Sequence, residues 1–515
     1  GMRAKNSKDD VNSAVMTTPT FVLELPVKLG QGELAEVRKR FNYARNLYNA
    51  TVGTALGQLQ QMRQDPQWRQ ACSMPKGKER TTTFRRLDEK YRLREYDLHA
   101  IIAKHREASG RKHDLGINEA QKLATRVYEV VTKYKLGLGG KPRFKTQSRG
   151  LHSISGKTNK TGLRFKPEKS RLYWNSLEMF VEIDRKDRYI FEALHVDKDP
   201  SRFKRIKYCS LVRKVINGKE RYYLQLSLEG QAPIKHIYAP QTERLAIDPA
   251  PKAITVFHKE KVFKASIEVS VHAEKQKKLQ KQMSRSLQLN NPDAFDENGT
   301  LKKGARLQVK SKSYLKKQTQ LCEVHRRAAA ARKNLHGQVS NLLLSLAGEI
   351  VLEKNSWKAL QRGHFGKSLG KSGMGAFERT LISKAERAGC KVHLVAPYIL
   401  KPSQYDPFKD AFEKIPLKQR WRRMDDKELI QRDMLSAVVL YCADLANERH
   451  NRTEIFQTLE GAKQLLSDGG FVVKENPTSN PALDPRFAPE RKAQAIEEVR
   501  REILCGCKGQ LNANR

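Results

Sequence analysis

The sequence predicts a multidomain α+β protein in which a β-barrel domain holds an inserted helical lobe and is followed by an α/β domain with a helical insertion. Three observations lead to this prediction. The chain has 515 residues, which is more than a single hydrophobic core usually supports. Residues 31–139 carry apolar side chains at helical spacing, whereas residues 140–238 contain short β-prone runs separated by turns. From residue 239 onward, runs typical of buried strands and of long helices follow one another.

The N-terminal part divides where its pattern changes. Residues 1–18 are polar and show no periodicity, so we expect them to be disordered. The run FVLELPVKL in residues 19–30 is typical of a strand, and we assign it together with residues 140–238 to one β-barrel domain. Residues 31–139 then form a helical lobe inserted into the barrel, because the apolar positions of LAEVRKRFNYARNLY fall on one helical face.

The α/β domain spans residues 239–475 and begins with the stretch RLAIDPAPKAITVF. Two β-prone runs flank a turn at residues 249–251 there, which predicts a strand hairpin. A helical insertion follows at residues 265–345, and its last helix carries an apolar stripe before the short strand in AGEIVLEKN. We treat residues 476–515 as a C-terminal tail.

The charge of the chain limits its partners. Lys and Arg number 99 against 56 Asp and Glu, which gives a formal net charge of +43. Such an excess predicts a polyanionic partner. No apolar run approaches the ~20 residues of a membrane span, so nucleic acid is favoured over a membrane. The interleaving of basic and aromatic residues is typical of proteins that bind single strands or RNA.

Two groups of basic residues are candidates for contact with nucleic acid. The first surrounds Phe144 in the glycine-broken stretch GKPRFKTQSRG and consists of Lys141, Arg143, Lys145 and Arg149. The second lies on the last helix of the insertion and consists of Arg326, Arg327, Arg332 and Lys333. For the second group, contact with phosphate and a purely solubilising role both remain open.

Three acidic residues stand at the ends of predicted elements. Asp248 ends the first strand of the α/β domain, Glu353 ends the strand in AGEIVLEKN, and Asp433 begins the helix in QRDMLSAVVLY. The carboxyl ends of neighbouring strands border a single crevice in an α/β sheet, and carboxylate oxygens suit magnesium. A pair of magnesium ions held in this way can hydrolyse a phosphodiester. The other interpretation of Asp248 is an aspartate that forms a turn by bonding its own backbone.

These acidic motifs, IDPAPKAITV, IVLE and QRDMLSAVV, resemble in their order the split RuvC nuclease domain, of ribonuclease H-like fold. That domain occurs in the transposon-encoded TnpB proteins and their descendants, the type V CRISPR effectors. GKPRFKTQSRGLHSISGKTNKTGLRF is similar to the basic segment of the family's wedge domain, and RRAAAARKNLHG to its helical insertion. GMGAFERTLISKAERAGCKVHLVAPYILKPSQYD is similar to the helix and strand that follow the family's glutamate. The resemblance covers about residues 20–450.

The resemblance implies an RNA-guided DNA endonuclease. By motif position, the catalytic residues and the ligands of two magnesium ions would be Asp248, Glu353 and Asp433. The β-barrel would be the wedge domain, the helical lobe the recognition lobe, and the α/β domain the RuvC nuclease. A guide RNA would be a required partner, and double-stranded target DNA would be unwound to a heteroduplex and cut beside a short flanking motif. The family also implies a prokaryotic cytoplasmic protein that associates with the nucleoid when bound to DNA; the oligomeric state stays open.

The cysteines mark a departure from the family. Seven cysteines occur without any Cys-x-x-Cys pair, which favours reduced thiols in a cytoplasm over a disulfide framework or a zinc site. The family usually carries a zinc ribbon before the final aspartate, but residues 397–430 contain no cysteine. We predict a ribbon-like target-strand loading region that needs no zinc and is held by aromatic packing. The aromatic residues expected to hold it are Tyr405, Phe408, Phe412 and Trp421.

Two other functions remain open at the level of sequence. An RNA-guided DNA-binding repressor would share the fold and the charge but would no longer cut, and the three intact acidic positions argue against it. A DNA transposase would also use three acidic residues, but no helix-turn-helix is recognisable in the sequence. Dependence on RNA would separate a transposase from the other two.

Overall fold

The computed structural model describes residues 19–194, 205–233, 242–416, 419–475 and 493–503. The chain divides into two compact units, Gly1–Pro233 and Ile234–Arg515. Both units combine helices and strands, which confirms the predicted multidomain α+β class. The disorder expected for residues 1–18 lies outside the described residues. No helix among the described residues is both long and apolar enough to cross a membrane.

The first unit opens with a strand and continues into helices. These elements are β1 (Thr20–Lys28), α1 (Gln31–Gln64), α2 (Pro66–Ser73), α3 (Lys78–Lys90), α4 (Glu95–Ala108) and α5 (Ile117–Lys135). Asp65 separates α1 from α2, because its carboxylate accepts a hydrogen bond from the backbone N–H of Gln67 and caps the second helix. The helical spacing in the sequence is therefore confirmed, with short breaks between the helices.

Antiparallel strands complete the first unit. They are β2 (Ser153–Ser155), β3 (Leu163–Lys166), β4 (Arg171–Trp174), β5 (Leu177–Val181), β6 (Ile206–Ile216) and β7 (Lys219–Glu229), with α6 (Arg188–Leu194) before β6. Their order is β2-β6-β7-β1-β5-β4-β3, so β1 lies in the middle although it precedes the helices. The thiol of Cys209 on β6 donates to the carbonyl of Leu163 on β3 at 3.4 Å. The sheet is therefore nearly closed on itself.

Strand β1 shows how sheet and helices share a core. Its alternate residues Phe21, Leu23 and Leu25 are buried, as the two-residue period of a strand requires. Helix α1 is joined to the sheet by Arg40, which is buried and donates from Nη1 to the carbonyl of Trp174 at 2.6 Å. The guanidinium also lies 5.3 Å from the centre of the Trp174 ring. The inserted helices and the sheet thus bury one continuous apolar surface.

The second unit contains a central sheet with helices and small sheets around it. Its strands are β8 (Arg244–Pro249), β9 (Ala253–His258), β10 (Lys261–Ser266), β11 (Glu349–Glu353), β12 (Lys391–Val395), β13 (Tyr405–Asp406), β14 (Ala411–Phe412), β15 (Trp421–Arg423), β16 (Glu428–Gln431) and β17 (Val472–Lys474). Its helices are α7 (Ala273–Asn290), α8 (Lys312–Leu346), α9 (Trp357–Gln361), α10 (Gly366–Ser372), α11 (Met374–Ala388), α12 (Pro397–Leu400), α13 (Arg432–Tyr441), α14 (Arg452–Gly461) and α15 (Lys463–Asp468).

The central sheet has the order β10-β9-β8-β11-β12. Strands β8, β9 and β10 form antiparallel pairs, whereas β11 runs parallel to both β8 and β12. The predicted hairpin from residue 244 and the strand that ends at Glu353 are both confirmed. Part of the predicted C-terminal tail, residues 476–515, belongs to the core of this unit instead. Gln494 pairs with Ala265 of β10, and Ile496 and Val499 are buried in the core. Apolar side chains in residues 493–503 explain why that segment joins the core.

The two faces of the central sheet are covered by different helices. Leu245 and Ile247 of β8 belong to a core that also contains residues of α8 and α11. Ala246, which alternates with them, packs with Leu440 of α13. Val351 of β11 shares that second cluster. Because side chains alternate between faces along a strand, each strand residue can be assigned to the α8 face or to the α13 face.

Candidate active site

Two of the predicted acidic residues lie side by side at one edge of the central sheet. Strands β8 and β11 are parallel neighbours, and Ile247 stands opposite Leu352 in their register. Asp248 is the residue after Ile247, and Glu353 is the residue after Leu352. The two acidic residues therefore lie beside each other at the carboxyl edge of the sheet. Asp248 lies two residues after Ala246, and Glu353 two residues after Val351, so both share the α13 face with those residues.

The third acidic residue comes to this face on helix α13. Asp433 lies in the first turn of α13, and its side chain is buried. Gln431 fixes the start of the helix, because its Oε1 accepts from the backbone N–H of Met434 at 2.9 Å while its Nε2 donates to Asp433 Oδ2 at 3.2 Å. The helix packs on the sheet through apolar residues such as Val438 against Phe257. The fold thus brings Asp248, Glu353 and Asp433, hereafter the acidic triad, to one face.

A lysine that the sequence did not single out joins the triad. Lys264 on β10 is 7% exposed, and its Nζ donates to Asp433 Oδ2 at 3.2 Å. It stands opposite Thr255 of β9, and Thr255 stands opposite Asp248 of β8. Residues opposite one another in a sheet point to the same face, so Lys264, Thr255 and Asp248 form a row under α13. The available signal was a lysine at an inward position within the apolar strand KVFKAS.

The electrostatics of the triad follow from burial and like charge. Burial raises the pKa of Asp248 well above its usual value, and the charges of Asp433 and then Glu353 raise it further, while Arg432 and Lys264 oppose the effect. Burial alone raises the pKa of Glu353 to about 7. Crowded carboxylates of this kind are stabilised either by protons or by cations. Lys264 supplies one positive charge. Three ionised carboxylates carry three negative charges, so further cations would stabilise the site.

The magnesium that the motifs imply requires a particular set of donor atoms. Carboxylate oxygens are the ligands that magnesium prefers, and Asp248 is within electrostatic reach of both other acids. Within the described ranges, however, no three His, Cys, Asp or Glu side chains are grouped closely enough to hold a metal ion as they stand. Asp433 is bonded to Lys264 instead. The chemistry of the triad fits magnesium, provided that Asp433 exchanges Lys264 for the cation.

The first group of predicted nucleic-acid contacts forms an exposed loop, residues 141–149, hereafter the basic loop. All four of its basic side chains are exposed. Its backbone is fixed on α1, because the N–H of Lys145 donates to Asn49 Oδ1 at 2.8 Å and its carbonyl accepts from Asn49 Nδ2 at 2.9 Å. The carbonyl of Arg149 accepts from the guanidinium of Arg213. The loop therefore presents positive charge to solvent from a fixed backbone.

The second group has partners within the protein. Arg326 and Arg327 both bond to the carboxylate of Glu323, with nitrogen to oxygen distances of 2.7 and 2.9 Å. Arg332 donates to the carbonyl of Gly370 at 2.9 Å, whereas Lys333 is exposed. Helix α8 therefore uses part of its positive charge to stabilise itself, and contact of these residues with nucleic acid stays a prediction.

The ribbon-like segment before α13 is organised around a buried arginine. Arg422 pairs with Asp406 at 3.5 Å and donates to the carbonyl of Glu413 at 2.9 Å. Tyr405 is buried and stacks on His450 with ring centres 3.8 Å apart. Trp421 is also buried, as expected from the sequence.

Phe412 is 55% exposed, but its ring centre lies 5.6 Å from that of Tyr405 and 5.6 Å from that of His450, so it belongs to the predicted aromatic packing. Phe408 is partly buried and lies edge-on to Phe456. The sequence missed Arg422, since a buried arginine reads like any surface residue until its partners are known. The independence of zinc stays a prediction.

Comparison with known proteins adds little at the level of sequence. No family model matches the chain, and no curated protein matches it. Among solved structures, a Cas12f1 complex with single-guide RNA and target DNA covers 82% of this chain and 98% of its own, with 12% identity and a TM-score of 0.39. The match to a CRISPR-Cas12f ternary complex covers 81% of this chain and 86% of the other, with 10% identity and a TM-score of 0.23. Likeness at these scores does not establish a shared fold, so the function is inferred from the chain's own residues.

Proposed function

We propose that this protein is an RNA-guided, magnesium-dependent DNA endonuclease that cuts double-stranded DNA beside a short flanking motif. The observation that carries the proposal is the position of Asp248, Glu353 and Asp433 on one face at one edge of the central sheet. Three carboxylates in such a crevice, in a chain with a net charge of +43, suit hydrolysis of a polyanionic phosphodiester. The order of the motifs, which resembles a split RuvC domain, supports the same function.

The residues of the site have separate tasks in this proposal. Asp248, Glu353 and Asp433 would hold magnesium, which supplies an activated water and neutralises charge on the leaving oxygen. Gln431 orients the Asp433 carboxylate by donating to Oδ2. Lys264 would neutralise the same carboxylate until magnesium binds. The apolar contacts of α13 keep Asp433 on the sheet, so that its position does not depend on the metal.

The rest of the chain would hold the nucleic acids. We assign residues 19–30 and 140–238 to a wedge domain, residues 31–139 to a recognition lobe, and residues 239–475 to the nuclease domain with its loading region at 397–430. A guide RNA pairs with the target strand and thereby reads its sequence, while protein groups hold the backbones and read the flanking motif. The basic loop is suited to backbone contacts because its four charged side chains are exposed to solvent.

One observation favours a second function, an RNA-guided DNA binder that does not cut. Asp433 is paired with Lys264, and no metal-binding group is formed among the described residues. A lysine that never left Asp433 would keep the site closed to magnesium. The nuclease is preferred because all three acidic residues are present on one face, which a binding function alone would not require.

Guide exchange tests the proposal. The full chain is purified with the RNA that accompanies it from its native host, the RNA is sequenced, and its guide segment is replaced. Cleavage is expected to move to DNA that matches the new guide, beside an unchanged flanking motif, and to stop when magnesium is chelated. Cutting that ignores the guide would leave a nonspecific nuclease, and guided binding without cutting would select the second function.

A further inference from the structure

A cleft in the first unit has no role in the chemistry described above. It has a volume of about 670 Å³ and lies between one face of α1, the end of α5 and the basic loop. Its lining includes Gly53, Gly57, Arg63, Tyr134, Lys141 and Phe144. The lining within the described residues contains no acidic side chain.

Two glycines of α1 form part of the floor of the cleft. Gly53 and Gly57 are one turn apart on the same face of α1. A Cβ atom at Gly57 would have no heavy atom within 4 Å, and one at Gly53 would lie 3.8 Å from the ring of Phe144. Glycine is among the weakest helix-forming residues, so two glycines on one face of a 34-residue helix call for a reason. Their absent side chains leave this part of the cleft open.

The walls of the cleft present planar groups. Phe144 is 57% exposed, although burying such a ring would be favourable. The guanidinium of Arg63 lies 4.6 Å from the centre of the Tyr134 ring, and Nη1 donates to the Tyr134 hydroxyl at 3.2 Å. Arg63 and Tyr134 are therefore held as one stacked unit. A planar ligand can meet a π surface on Phe144 and another on this unit.

Positive charge surrounds the planar groups. Lys141 lines the cleft, and Arg143 and Lys145 flank Phe144 in the sequence with exposed side chains. The backbone of Lys145 is bonded to Asn49 on α1, so the loop cannot easily fold Phe144 away. A ligand for this cleft is expected to combine a flat aromatic group with negative charge. A nucleotide has both.

We propose that the cleft binds one unpaired nucleotide of a single-stranded nucleic acid, with its base stacked on Phe144 and its phosphate at Lys141 and Arg143. An unpaired base is required because a base within a duplex has both its faces covered by its neighbours. Stacking on an aromatic ring does not select among bases. The cleft therefore holds the strand without reading its sequence. The inference depends on the proposed binding of nucleic acid but not on cleavage, so a protein that binds and does not cut could still satisfy it.

Photocrosslinking of the full chain tests the site. The probes are single-stranded 12-mers that carry one 5-iodouracil, one made of RNA and one of DNA. A crosslink is expected at Phe144 and is located by mass spectrometry of the digested protein. A crosslink from RNA alone, from DNA alone or from both identifies the source of the nucleotide. Crosslinks found only at other residues would overturn the proposal.

Two glycine variants separate filling of the cleft from damage to the fold. Gly57→Leu places a side chain over the floor, while leucine favours the helix more than glycine does. The yield at Phe144 is expected to fall about tenfold, which corresponds to loss of one stacked base, with no loss of thermal stability. Gly32→Leu is the matched control, since Gly32 also lies on α1 with open space around it but does not line the cleft. An unchanged yield in Gly57→Leu would contradict the proposal.

Discussion

The acidic triad and the basic loop both concentrate charge of one sign, but the protein surrounds them differently. Asp433 is buried and bonded to Lys264 and Gln431, and burial changes the pKa of Asp248 and of Glu353. In the basic loop the backbone is bonded to Asn49, and the charged side chains are exposed to solvent. A reaction site needs charges held in a low dielectric, whereas a backbone-binding site needs charges that remain free to meet phosphate.

The largest effect on cleavage is expected from substitutions in the acidic triad. Glu353→Gln and Asp433→Asn each keep the size of the side chain and remove one negative charge. We expect each to lower the rate of guide-matched cleavage roughly a thousandfold or more, and the double variant to add little, because residues of one catalytic unit are not additive. Single-turnover cleavage assays measure both effects. Losses that multiply in the double variant would show that the two residues act separately.

Lys264→Met tests how the buried charges are held. Removing one partner of a buried ion pair costs about 3 kcal/mol, so the metal-free protein should melt roughly 6 °C or more below wild type. Magnesium should then bind the variant more tightly, because no lysine competes for Asp433. Calorimetry measures melting and metal affinity. Lys261→Met, which changes a partly exposed lysine of the same strand, is the control and should alter neither.

A Lys264→Met protein with the melting temperature and magnesium affinity of wild type would show that Lys264 does not hold Asp433 in solution. A protein that melts lower but binds magnesium no better would show that Lys264 stabilises the fold without competing with the metal. Either result would contradict the role of Lys264 as a charge that holds Asp433 until magnesium replaces it.

Replacing all four basic residues of the basic loop with alanine tests whether the loop contacts phosphate. Each phosphate contact that is lost lowers the salt dependence of binding, the slope of log K against log salt, by roughly 0.7 to 0.9. A decrease of up to about three is expected for binding of guide and target, with the fold unchanged because the loop backbone keeps its bonds to Asn49. The control replaces Arg185, Lys186 and Arg188, exposed basic residues that alternate with acids. Equal slopes in the two variants would remove the special role of the loop.

The smallest effect concerns pH. The pKa of Glu353 is raised from 4.5 to about 7 in the folded protein, so the folded state holds this proton more tightly than the unfolded state does. The stabilising contribution is complete below about pH 4.5 and is lost as the pH rises through about 7. In metal-free buffer, Glu353→Gln should therefore lose part of the decline in melting temperature over that range. Equal pH profiles for variant and wild type would place Glu353 in solvent.

The comparison also explains what the sequence could predict. Asp248 and Glu353 follow short apolar runs, and run length with a closing turn is a local signal. Glu353 ends its strand as predicted, and Asp248 lies one residue before the end of β8, which extends to Pro249. Lys264 has only a weak local signal, a lysine within an apolar strand, and Arg422 has none, because a charged side chain within a strand is normally exposed. Their burial depends on which strands pair and on which helix covers them. Such information is tertiary.

The central claim is that Asp248 is a metal ligand rather than a turn-forming residue, and Asp248→Ala tests it most directly. Cleavage of guide-matched DNA and RNA-dependent binding of that DNA are measured on the same preparation. Glu260→Ala is the control, since it removes an exposed acid between β9 and β10 of the same sheet. Asp248→Ala is expected to abolish cleavage and leave binding nearly intact, because base pairing and backbone contacts do not involve the metal. Cleavage at the normal rate, or loss of binding and stability together with cleavage, would contradict the claim.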